Sequence, residues 1–433
     1  MQAFPLLRKK KCHSGLFPFA LIVFFSLQAF GSNGYFSPGY GTEYKAMAGA
    51  GTALYLNSLA PAINPAAVSF LDRRLDVEFA VLSPSRKYNV IAKPDPPATG
   101  PPGPGLFALG PGMVQSKEQY FVIPSMGASA QLPGGHALAF SVYANDGITT
   151  EYNTDTYSGQ PPTGLDFSQI FLSGTYGREL FPHHSVGISL ILASQRLRIR
   201  GLQPFKQFSA NPEDVTNNGY SNTLGYGARI GYLGRIFPAL TIGASFQTKM
   251  AMQPFDEYAG LLAGSGDFDI PATWNAGIAF RPLPALTLAA DVQQIFYSAV
   301  PALANPMLPN LTQQKLGDTD GAGFCWKDMT VYKIGARFNI LQGLTLGAGY
   351  SYGKQPVPES AVLFNLLLPA VAEQHLAFGI SKILLPGLGI HFAFLKTFGN
   401  TISGDNPFRL LWTGALELSE SQWEAQLGLS FAL

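Results

Sequence analysis

The sequence predicts an all-β fold, a fourteen-stranded antiparallel transmembrane β-barrel with an N-terminal hatch plugging the lumen. Three observations predict it. Segments of about ten residues alternate apolar and polar side chains, as half-buried strands do. Short turns and long loops alternate between those segments. The chain is apolar, yet after its N-terminal apolar run we find no stretch long enough for a membrane helix.

Strand length separates a membrane barrel from a soluble β-sandwich, since both alternate with period two. In one segment Leu286, Leu288 and Ala290 point to one face, whereas Thr287 and Asp291 point to the other. Such segments run to about ten residues or more, whereas strands of soluble proteins average about five or six. A strand needs about 9–11 residues to cross a bilayer, so the segment length favours a barrel.

Six tight turns and seven longer loops predict the number of strands. The loops are rich in Gly, Pro and Asn and are centred near residues 100, 160, 210, 262, 312, 364 and 410. The tight turns are Pro133-Gly134-Gly135, Pro182-His183-His184, Phe237-Pro238-Ala239, Leu283-Pro284-Ala285, Leu341-Gln342-Gly343 and Leu385-Pro386-Gly387. Together they join fourteen strands. Short turns at one end and long loops at the other are the bacterial outer-membrane arrangement, with both chain ends in the periplasm.

The N-terminus has the pattern of a secretory signal peptide, which we place at residues 1–31. Basic residues from Arg8 to Lys11 precede an apolar run from Leu16 to about Leu27. That run is shorter than a spanning helix needs, and no stop-transfer pattern follows it. An exported chain with 47% hydrophobic and only 13% charged residues is expected in the outer membrane.

Charge and cysteine content exclude other kinds of protein. The net charge of +1 argues against a nucleic-acid partner, because phosphate binding needs concentrated positive charge. Cys12 lies in the predicted signal peptide, which leaves Cys325 alone in the mature chain without a disulfide partner. Cys325 with His375 is too sparse for a metal site. We therefore predict no metal and no cofactor.

Residues 32–73 do not alternate, and we assign them to the hatch, with the barrel at residues 74–433. Fourteen strands enclose a lumen too wide for their own side chains to fill, so a folded plug is physically reasonable. Glycines at lumen-facing strand positions are expected to make room for it.

Several short motifs resemble, in order, those of the FadL/TodX family of outer-membrane transporters for hydrophobic compounds. They cover most of the mature chain and agree with the strand number. The motifs are Gly34-Tyr35-Phe36, residues 45–53 (KAMAGAGTA), Asn64-Pro65-Ala66, Ile123-Pro124, residues 146–152 (DGITTEY), Asp269-Ile270-Pro271, Trp326-Lys327-Asp328, residues 349–352 (GYSY) and Pro356-Val357-Pro358.

The resemblance implies a hatch carrying Asn64, Pro65 and Ala66, and passive transport of long-chain fatty acids or aromatic hydrocarbons. It also implies release of the ligand through an inward kink in the third strand, which maps to about residues 136–152. We place the kink at Asn145-Asp146-Gly147, since glycine in a strand often marks a bulge. The alternative is that Gly147 begins an external loop. Family members often have Asp where this chain has Asn57, so any role of that carboxylate is lost or moved.

Apolar residues on two external loops are candidates for ligand capture, because exposed apolar side chains favour a partner. The alternative is that they pack the loops against each other. These residues are Leu202, Phe205, Phe208, Phe255, Leu261 and Leu262. Strand-end aromatics fit either an interfacial girdle or ordinary packing, namely Tyr120, Tyr152, Tyr297, Trp326, Tyr352 and Trp423.

Cations predicted to face the lumen are candidates for binding a fatty-acid carboxylate. Alternation places Lys333 and Arg337 inward if Tyr332, Ile334, Ala336 and Phe338 face lipid. By the same test Arg229, Gln247 and Lys249 point inward. A cation there either binds a ligand carboxylate or, more commonly, pairs with acids of the hatch or wall.

Two other classes of function are a barrel enzyme and a structural barrel or adhesin. A barrel enzyme needs a nucleophile with a base in reach, and only the adjacent His184-Ser185 pair, at a predicted periplasmic turn, is a candidate. We expect solvated histidines there and no catalytic residue. The leading alternative to transport is a structural barrel or adhesin. Expected partners are a hydrophobic ligand, outer-membrane lipid and the barrel assembly machinery, with the protein a monomer.

Overall fold

Fourteen long antiparallel strands form a closed barrel in the computed structural model, which describes residues 33–92, 107, 109–117, 119–408 and 413–433. The first and last strands pair from Arg74 with Ala432 to Ala92 with Thr413, which closes the sheet and confirms the predicted fold. The strands are β1 (Arg74–Ala92), β2 (Phe121–Leu132), β3 (His136–Thr149), β4 (Gly164–Phe181), β5 (His184–Arg200), β6 (Ser221–Phe237), β7 (Leu240–Gln247), β8 (Thr273–Leu283), β9 (Leu286–Ile295), β10 (Met329–Leu341), β11 (Leu344–Gly353), β12 (Gln374–Leu385), β13 (Leu388–Asp405) and β14 (Thr413–Ala432).

Tight turns join alternate strand pairs at one end of the barrel, at each of the six predicted positions. The seven longer connections lie at the other end, as predicted. Leu433 donates its backbone N–H to the carbonyl of Arg73, so both ends of the barrel domain meet on the tight-turn side. That end is periplasmic in an outer-membrane barrel. The expected signal peptide, residues 1–31, lies outside the described residues.

Side chains alternate between lipid and lumen along each strand. On β5, Val186, Ile188, Leu190 and Leu192 are exposed on the outer face, and the intervening residues from Ser185 to Ala193 are buried or half-buried. Apolar residues facing outward form the band that meets lipid in a membrane barrel. The same alternation on β10 exposes Tyr332, Ile334 and Phe338 and buries Lys333, as predicted.

Residues 33–73, which we call the lumen segment, fold inside the barrel. They contain a helical turn, α1 (Thr42–Lys45), and two 3₁₀ turns, Ala60–Ala62 and Pro65–Phe70. Glycines occupy wall positions next to this segment where a Cβ would overlap the segment's backbone. Examples are Gly187 against Pro65, Gly243 against Thr52 and Gly349 against Met47. Small residues therefore let the wall approach the segment closely.

Short elements in the external loops cover the other end of the barrel. Two short strands, Gly112–Gln115 and Ala251–Met252, pair with β1 and β6. The helices there are α2 (Pro301–Ala304), α3 (Asn310–Gln313) and α4 (Val362–Asn365), with 3₁₀ turns at Thr156–Ser158, Gln203–Phe208, Pro212–Val215, Asp256–Tyr258, Tyr297–Ala299 and Glu359–Ala361. Across the described ranges, none of the helices has the length and apolarity to span a membrane.

One orientation prediction is wrong. Lys249 does not point inward, because it lies beyond the end of β7, is exposed, and forms an ion pair with Asp269 at 2.7 Å. For the strand-end aromatics the sequence left two roles open, and Tyr152, Tyr297 and Trp326 take ordinary packing, because they are at most 1% exposed. The exposed Tyr120 and Tyr352 keep the outward orientation that a girdle requires.

Candidate functional site

Six apolar side chains from three external loops line a cavity of about 40 Å³. The remaining lining residues belong to the loop between β9 and β10, and all are apolar. We call this set the external cluster. It consists of Leu202, Phe205, Leu261, Leu262, Phe364 and Leu367.

The six loop residues pack against other loops, which is the alternative to an exposed capture surface that the sequence left open. Leu202, Phe205, Phe255 and Leu262 are at most 4% exposed, whereas Phe208 and Leu261 are partly buried at the edge of the same apolar core. The loops fold over the barrel mouth and supply apolar partners, such as Phe107, whose ring stacks on Phe205 at 4.2 Å between centroids. An open groove is therefore replaced by an enclosed apolar cluster.

Residues 361–372 close the external mouth, and sequence reasoning missed them. Every residue from Ala361 to Ala372 is buried. Asn365 fixes the segment, because it accepts a hydrogen bond from the Trp326 indole at 2.6 Å and donates to the carbonyls of Phe324 and Ala361. An apolar run at a position predicted to be an external loop was the available signal.

Two buried tyrosines tie this segment to the loop after β3. The hydroxyl of Tyr152 donates to the carbonyl of Leu366 at 2.9 Å, and that of Tyr157 donates to Leu363 at 2.7 Å. Burial raises the pKa of Tyr157 well above its usual value, so the hydroxyl stays protonated and remains a donor. The external cluster and the end of β3 are thus joined through one segment.

An aromatic cluster lies between these loops and the lumen segment. Tyr35, from the Gly34-Tyr35-Phe36 motif, lies 5.5 Å from Phe167 and 5.9 Å from Trp326, measured between ring centroids. Its backbone N–H donates to the hydroxyl of Tyr297. The start of the lumen segment is therefore part of the same buried apolar core as the external cluster.

The wall is incomplete between β2 and β3. Their pairing runs from Leu132 with His136 to Met126 with Val142 and goes no further among the described residues. Beyond Val142, β3 pairs only with β4, and its register shifts between Ala144 and Asp146. The carbonyl of Asn145 instead accepts the N–H of Ser37 in the lumen segment at 3.0 Å.

The predicted kink residues lie at this gap. The Asn145 side chain is fully buried, accepts a hydrogen bond from the Tyr40 hydroxyl and donates to Gln169 at 2.7 Å. Gly147 lies within β3 and pairs with Ser168, so it does not begin the external loop. The backbone of Asp146 pairs with Gln169, and its side chain lies outside the described residues.

Asn64 holds the lumen segment to itself and to the wall. Its carboxamide oxygen accepts the N–H of Ala66 at 3.1 Å, which caps the 3₁₀ turn that starts at Pro65. Its amide donates to the carbonyls of Thr52 and Tyr232, each at 2.9 Å. The Asn64-Pro65-Ala66 motif therefore joins two parts of the segment to β6.

The three candidate cations contact the lumen segment. Lys333 donates to the carbonyl of Pro38 at 2.8 Å, and Arg229 donates to the carbonyl of Ala62 and to Gln247. Arg337 forms an ion pair with Glu43 at 2.9 Å. Arg337 thus pairs with an acid of the segment, which is the more common role that the sequence left open, whereas Lys333 and Arg229 contact backbone carbonyls of the segment.

Wall carboxylates make further contacts that sequence reasoning did not identify. Asp291 on β9 accepts the N–H groups of Gly51 and Thr52 at 2.6 and 2.8 Å. On β1, Asp76 accepts the N–H of Ser58 at 2.8 Å. Glu424 on β14 pairs with Lys45. Acidic residues inside an apolar strand pattern were the signal, since a lumen-facing carboxylate needs a partner when the lumen is filled.

His184 and Ser185 do not form a catalytic pair. The Ser185 hydroxyl donates to the carbonyl of Ala66 at 2.8 Å, and His184 bonds through Nδ1 to the Tyr232 hydroxyl at 2.7 Å. Successive strand residues point to opposite faces, which separates the two side chains.

The family described as "Outer membrane protein transport protein (OMPP1/FadL/TodX)" matches residues 25–401. The chain belongs to this family. OMPP1/FadL/TodX proteins are outer-membrane transport proteins and not enzymes, and this chain shares that location and class. No curated protein matches the chain.

Three solved structures share the fold with this OMPP1/FadL/TodX member. A Pseudomonas aeruginosa FadL homologue is 15% identical with a TM-score of 0.68, over 92% of this chain and 99% of that one. The P. putida toluene transporter TodX is 18% identical with a TM-score of 0.64, over 92% and 99%. The Ralstonia pickettii toluene transporter TbuX is 16% identical with a TM-score of 0.60, over 92% and 99%.

Proposed function

We propose that this protein carries small hydrophobic molecules across the outer membrane by passive diffusion between binding sites. The observation that carries the proposal is the gap between β2 and β3, where the Asn145 carbonyl bonds to the lumen segment instead of to β2. A hydrophobic molecule leaving through the wall enters the bilayer directly and avoids transfer into water, which costs about 25 cal/mol per Å² of apolar surface.

The route begins at the external cluster and passes the aromatic cluster to the gap. Apolar side chains line the first part, and the Tyr35 ring with its neighbours lines the second. Several modest sites in series favour transport over one tight site, because tight binding slows release. The lumen segment acts as the hatch in this proposal, since it occupies the water-filled route that a diffusion porin would need.

Uncharged aromatic hydrocarbons fit the lumen better than fatty acids. Lys333, Arg229 and Arg337 already bond to the lumen segment, and a carboxylate would have to displace those bonds. Two of the solved structures of this fold are toluene transporters by name. Long-chain fatty acids are the second substrate class, and direct comparison of uptake separates the two.

A reversible cross-link across the gap tests the route. In a Cys325→Ser background, Ser125→Cys with Tyr143→Cys places two thiols just beyond the last β2–β3 pair, Met126 with Val142. The control, Ser129→Cys with Ala139→Cys, lies within the formed ladder. We expect oxidation to reduce toluene uptake only in the first variant and a reductant to restore it, in a host lacking its own transporter.

Uptake of neither toluene nor labelled fatty acid by the folded parent protein would favour the structural-barrel alternative. Uptake that persists at full level in the cross-linked gap variant would reject the wall route and leave transport through the lumen.

A further inference from the structure

Three arginines form an outward-facing stripe at the external end of β5. The β4–β5 pairing keeps one register from Glu179 with Ser185 to Gly164 with Arg200, so side chains alternate faces without interruption. Leu190 and Leu192 are exposed on the outer face, whereas Leu197 and Ile199 are buried. The outer face therefore continues upward from the leucines through Arg196, Arg198 and Arg200.

The stripe begins where the lipid-facing band ends. The residue paired with Leu192 is Tyr226, which is 73% exposed and apolar except for its hydroxyl, as at an interfacial girdle. Arg196 lies four positions beyond Leu192, which is about 10 Å farther along the barrel axis when the strand is tilted by about 40°. An arginine on the outer face is costly at the bilayer midplane and nearly free at the interface, so this stripe lies at headgroup height.

One tyrosine ring orders two of the guanidinium groups. The Cζ atoms of Arg196 and Arg198 lie 3.6 and 4.2 Å from the centroid of Tyr220. The two cations are therefore no farther apart than the sum of those distances, and like charges this close repel unless an anion lies between them. Stacking on one ring fixes their positions and lowers the entropy that binding an anion would cost.

Local carboxylates neutralise only part of the stripe. Asp166 contacts Arg198 at 3.4 Å and accepts a hydrogen bond from Tyr220 at 2.6 Å. Glu151 contacts Arg200 at 2.7 Å. Burial raises the pKa of Glu151, but the hydrogen bond and charge of Arg200 outweigh it and leave the pKa below its usual value.

Arg196 keeps an uncompensated positive charge. It forms no ion pair with any carboxylate in the described part of the chain, and its Nε is buried without a hydrogen-bond acceptor. Arg198 shares its carboxylate with Tyr220, and its own Nε also lacks an acceptor in the described residues. An anion that reaches the outer wall at this height completes the site.

We propose that Arg196 and Arg198, held by Tyr220, bind a phosphate group of the glycolipid that forms the outer leaflet. The outer leaflet of this membrane is lipopolysaccharide, whose phosphorylated sugar headgroups lie directly above the acyl chains that meet Leu190 and Leu192. Guanidinium groups match phosphate oxygens in geometry and charge. Because the site lies on the outer wall, the inference is independent of the proposed transport function.

Binding of defined lipids to the purified protein in detergent tests the proposal. The probe is bisphosphorylated lipid A, with its dephosphorylated form as the second arm, and bound lipid is counted by native mass spectrometry. We expect Arg196→Gln with Arg198→Gln to weaken binding of the phosphorylated form about tenfold, as expected for hydrogen bonds to a charged group. The parent protein is expected to bind the dephosphorylated form only as weakly as the double variant binds the phosphorylated form.

Arg178→Gln is the matched control. Arg178 also lies exposed on the outer face of β4, but at the periplasmic end, where it is close to Val186 rather than Arg198. We expect it to bind phosphorylated lipid A as the parent does. Arg196→Gln alone removes no ion pair, so this variant tests the site if the double variant misfolds. We expect it to lose less affinity for phosphorylated lipid A than the double variant does.

Equal binding by the parent and the folded arginine variants would overturn the proposal. An equal loss in the Arg178→Gln control, or equal binding of phosphorylated and dephosphorylated lipid, would overturn it as well. Full displacement of lipid by an equimolar amount of inorganic phosphate would also overturn it, because the site would then take a free anion.

Discussion

At the scale of single residues, Asn64 does more than cap a turn. One side chain satisfies the N–H of Ala66 and the carbonyls of Thr52 and Tyr232, which belong to three separate stretches of chain. A buried hydrogen-bonded carboxamide can be replaced only by a group that offers both a donor and an acceptor. That requirement explains why asparagine, and not aspartate, occupies the position.

Replacing Asn64 is expected to loosen the lumen segment. Asn64→Ala leaves two buried carbonyls and one N–H without their partner, which lowers the free energy of unfolding by about 1–3 kcal/mol. Urea unfolding of the refolded barrel measures that loss. Asn339→Ala, an exposed asparagine on β10, is the control and is expected to change stability little. A loss as large in the control as in Asn64→Ala would contradict the assignment.

The ion pair between Glu43 and Arg337 provides a second residue-scale prediction. It joins α1 to β10, and both side chains are mostly buried. A double-mutant cycle with Glu43→Gln and Arg337→Gln is expected to show a coupling energy of about 1–3 kcal/mol, because each single change leaves the other charge unpaired. Additive single effects would mean that the contact does not stabilise the lumen segment. Retained preference for carboxylate ligands in Arg337→Gln would exclude Arg337 as a ligand site.

At the scale of elements, glycine positions determine how closely the lumen segment approaches the wall. Strands β5, β7 and β11 carry glycine at points where the segment's backbone comes close to the wall, for example Gly187 beneath Pro65. Alternation alone predicts which glycines face the lumen, but not which of them meet the segment. The contact depends on the path of residues 33–73 through three dimensions.

Adding a side chain at Gly187 is expected to displace the 3₁₀ turn at Pro65. Gly187→Val directs its Cβ into backbone atoms of Pro65 and Ala66, and overpacking of this kind costs about 1–3 kcal/mol. Limited proteolysis should then cleave the lumen segment faster than in the parent. Gly174→Val is the matched control on β4, because nothing lies within 4 Å of its Cβ position. Equal protease resistance in the two variants would show that the close approach is unimportant.

At the scale of the whole molecule, the barrel is filled by a segment whose backbone and helical turn are fastened to wall carboxylates. Asp76 and Glu424 lie on the adjacent strands β1 and β14, and Asp291 lies on β9, so the anchors hold the segment from two separate parts of the wall. We expect such an arrangement to seal the lumen against ions, whereas in the proposed route apolar molecules leave through the gap beside β3.

Ion conductance tests this sealing. The parent protein in a planar bilayer is expected to show almost no conductance, because residues 33–73 are largely buried in the lumen. The triple variant Asp76→Asn, Asp291→Asn, Glu424→Gln weakens three anchors and is expected to conduct in frequent openings. Glu417→Gln, a carboxylate that contacts Asn89 outside the lumen, is the control. A parent that conducts as a general porin does would overturn the sealed-lumen description.

Alternation, strand length and turn positions by themselves determined the barrel, its fourteen strands and the orientation of Lys333 and Arg337. Those features depend on local periodicity, and a membrane imposes the same period on every strand. The Asn64-Pro65-Ala66 turn was also predictable, since proline and a capping asparagine act within a few residues.

Only the tertiary structure decided what the loops and charges do. Phe205 and Leu262 became buried because residues 361–372 fold back over the mouth, a contact across more than one hundred positions of sequence. Trp326 is held inward by Asn365 of that segment, and Tyr297 packs against Tyr35 of the lumen segment. The partners of Arg229 and Arg337, and the stacking of two arginines on Tyr220, depend on which strands and loops meet. Periodicity sets the face on which a side chain lies, whereas its partner depends on the closed barrel and the chain folded within and above it.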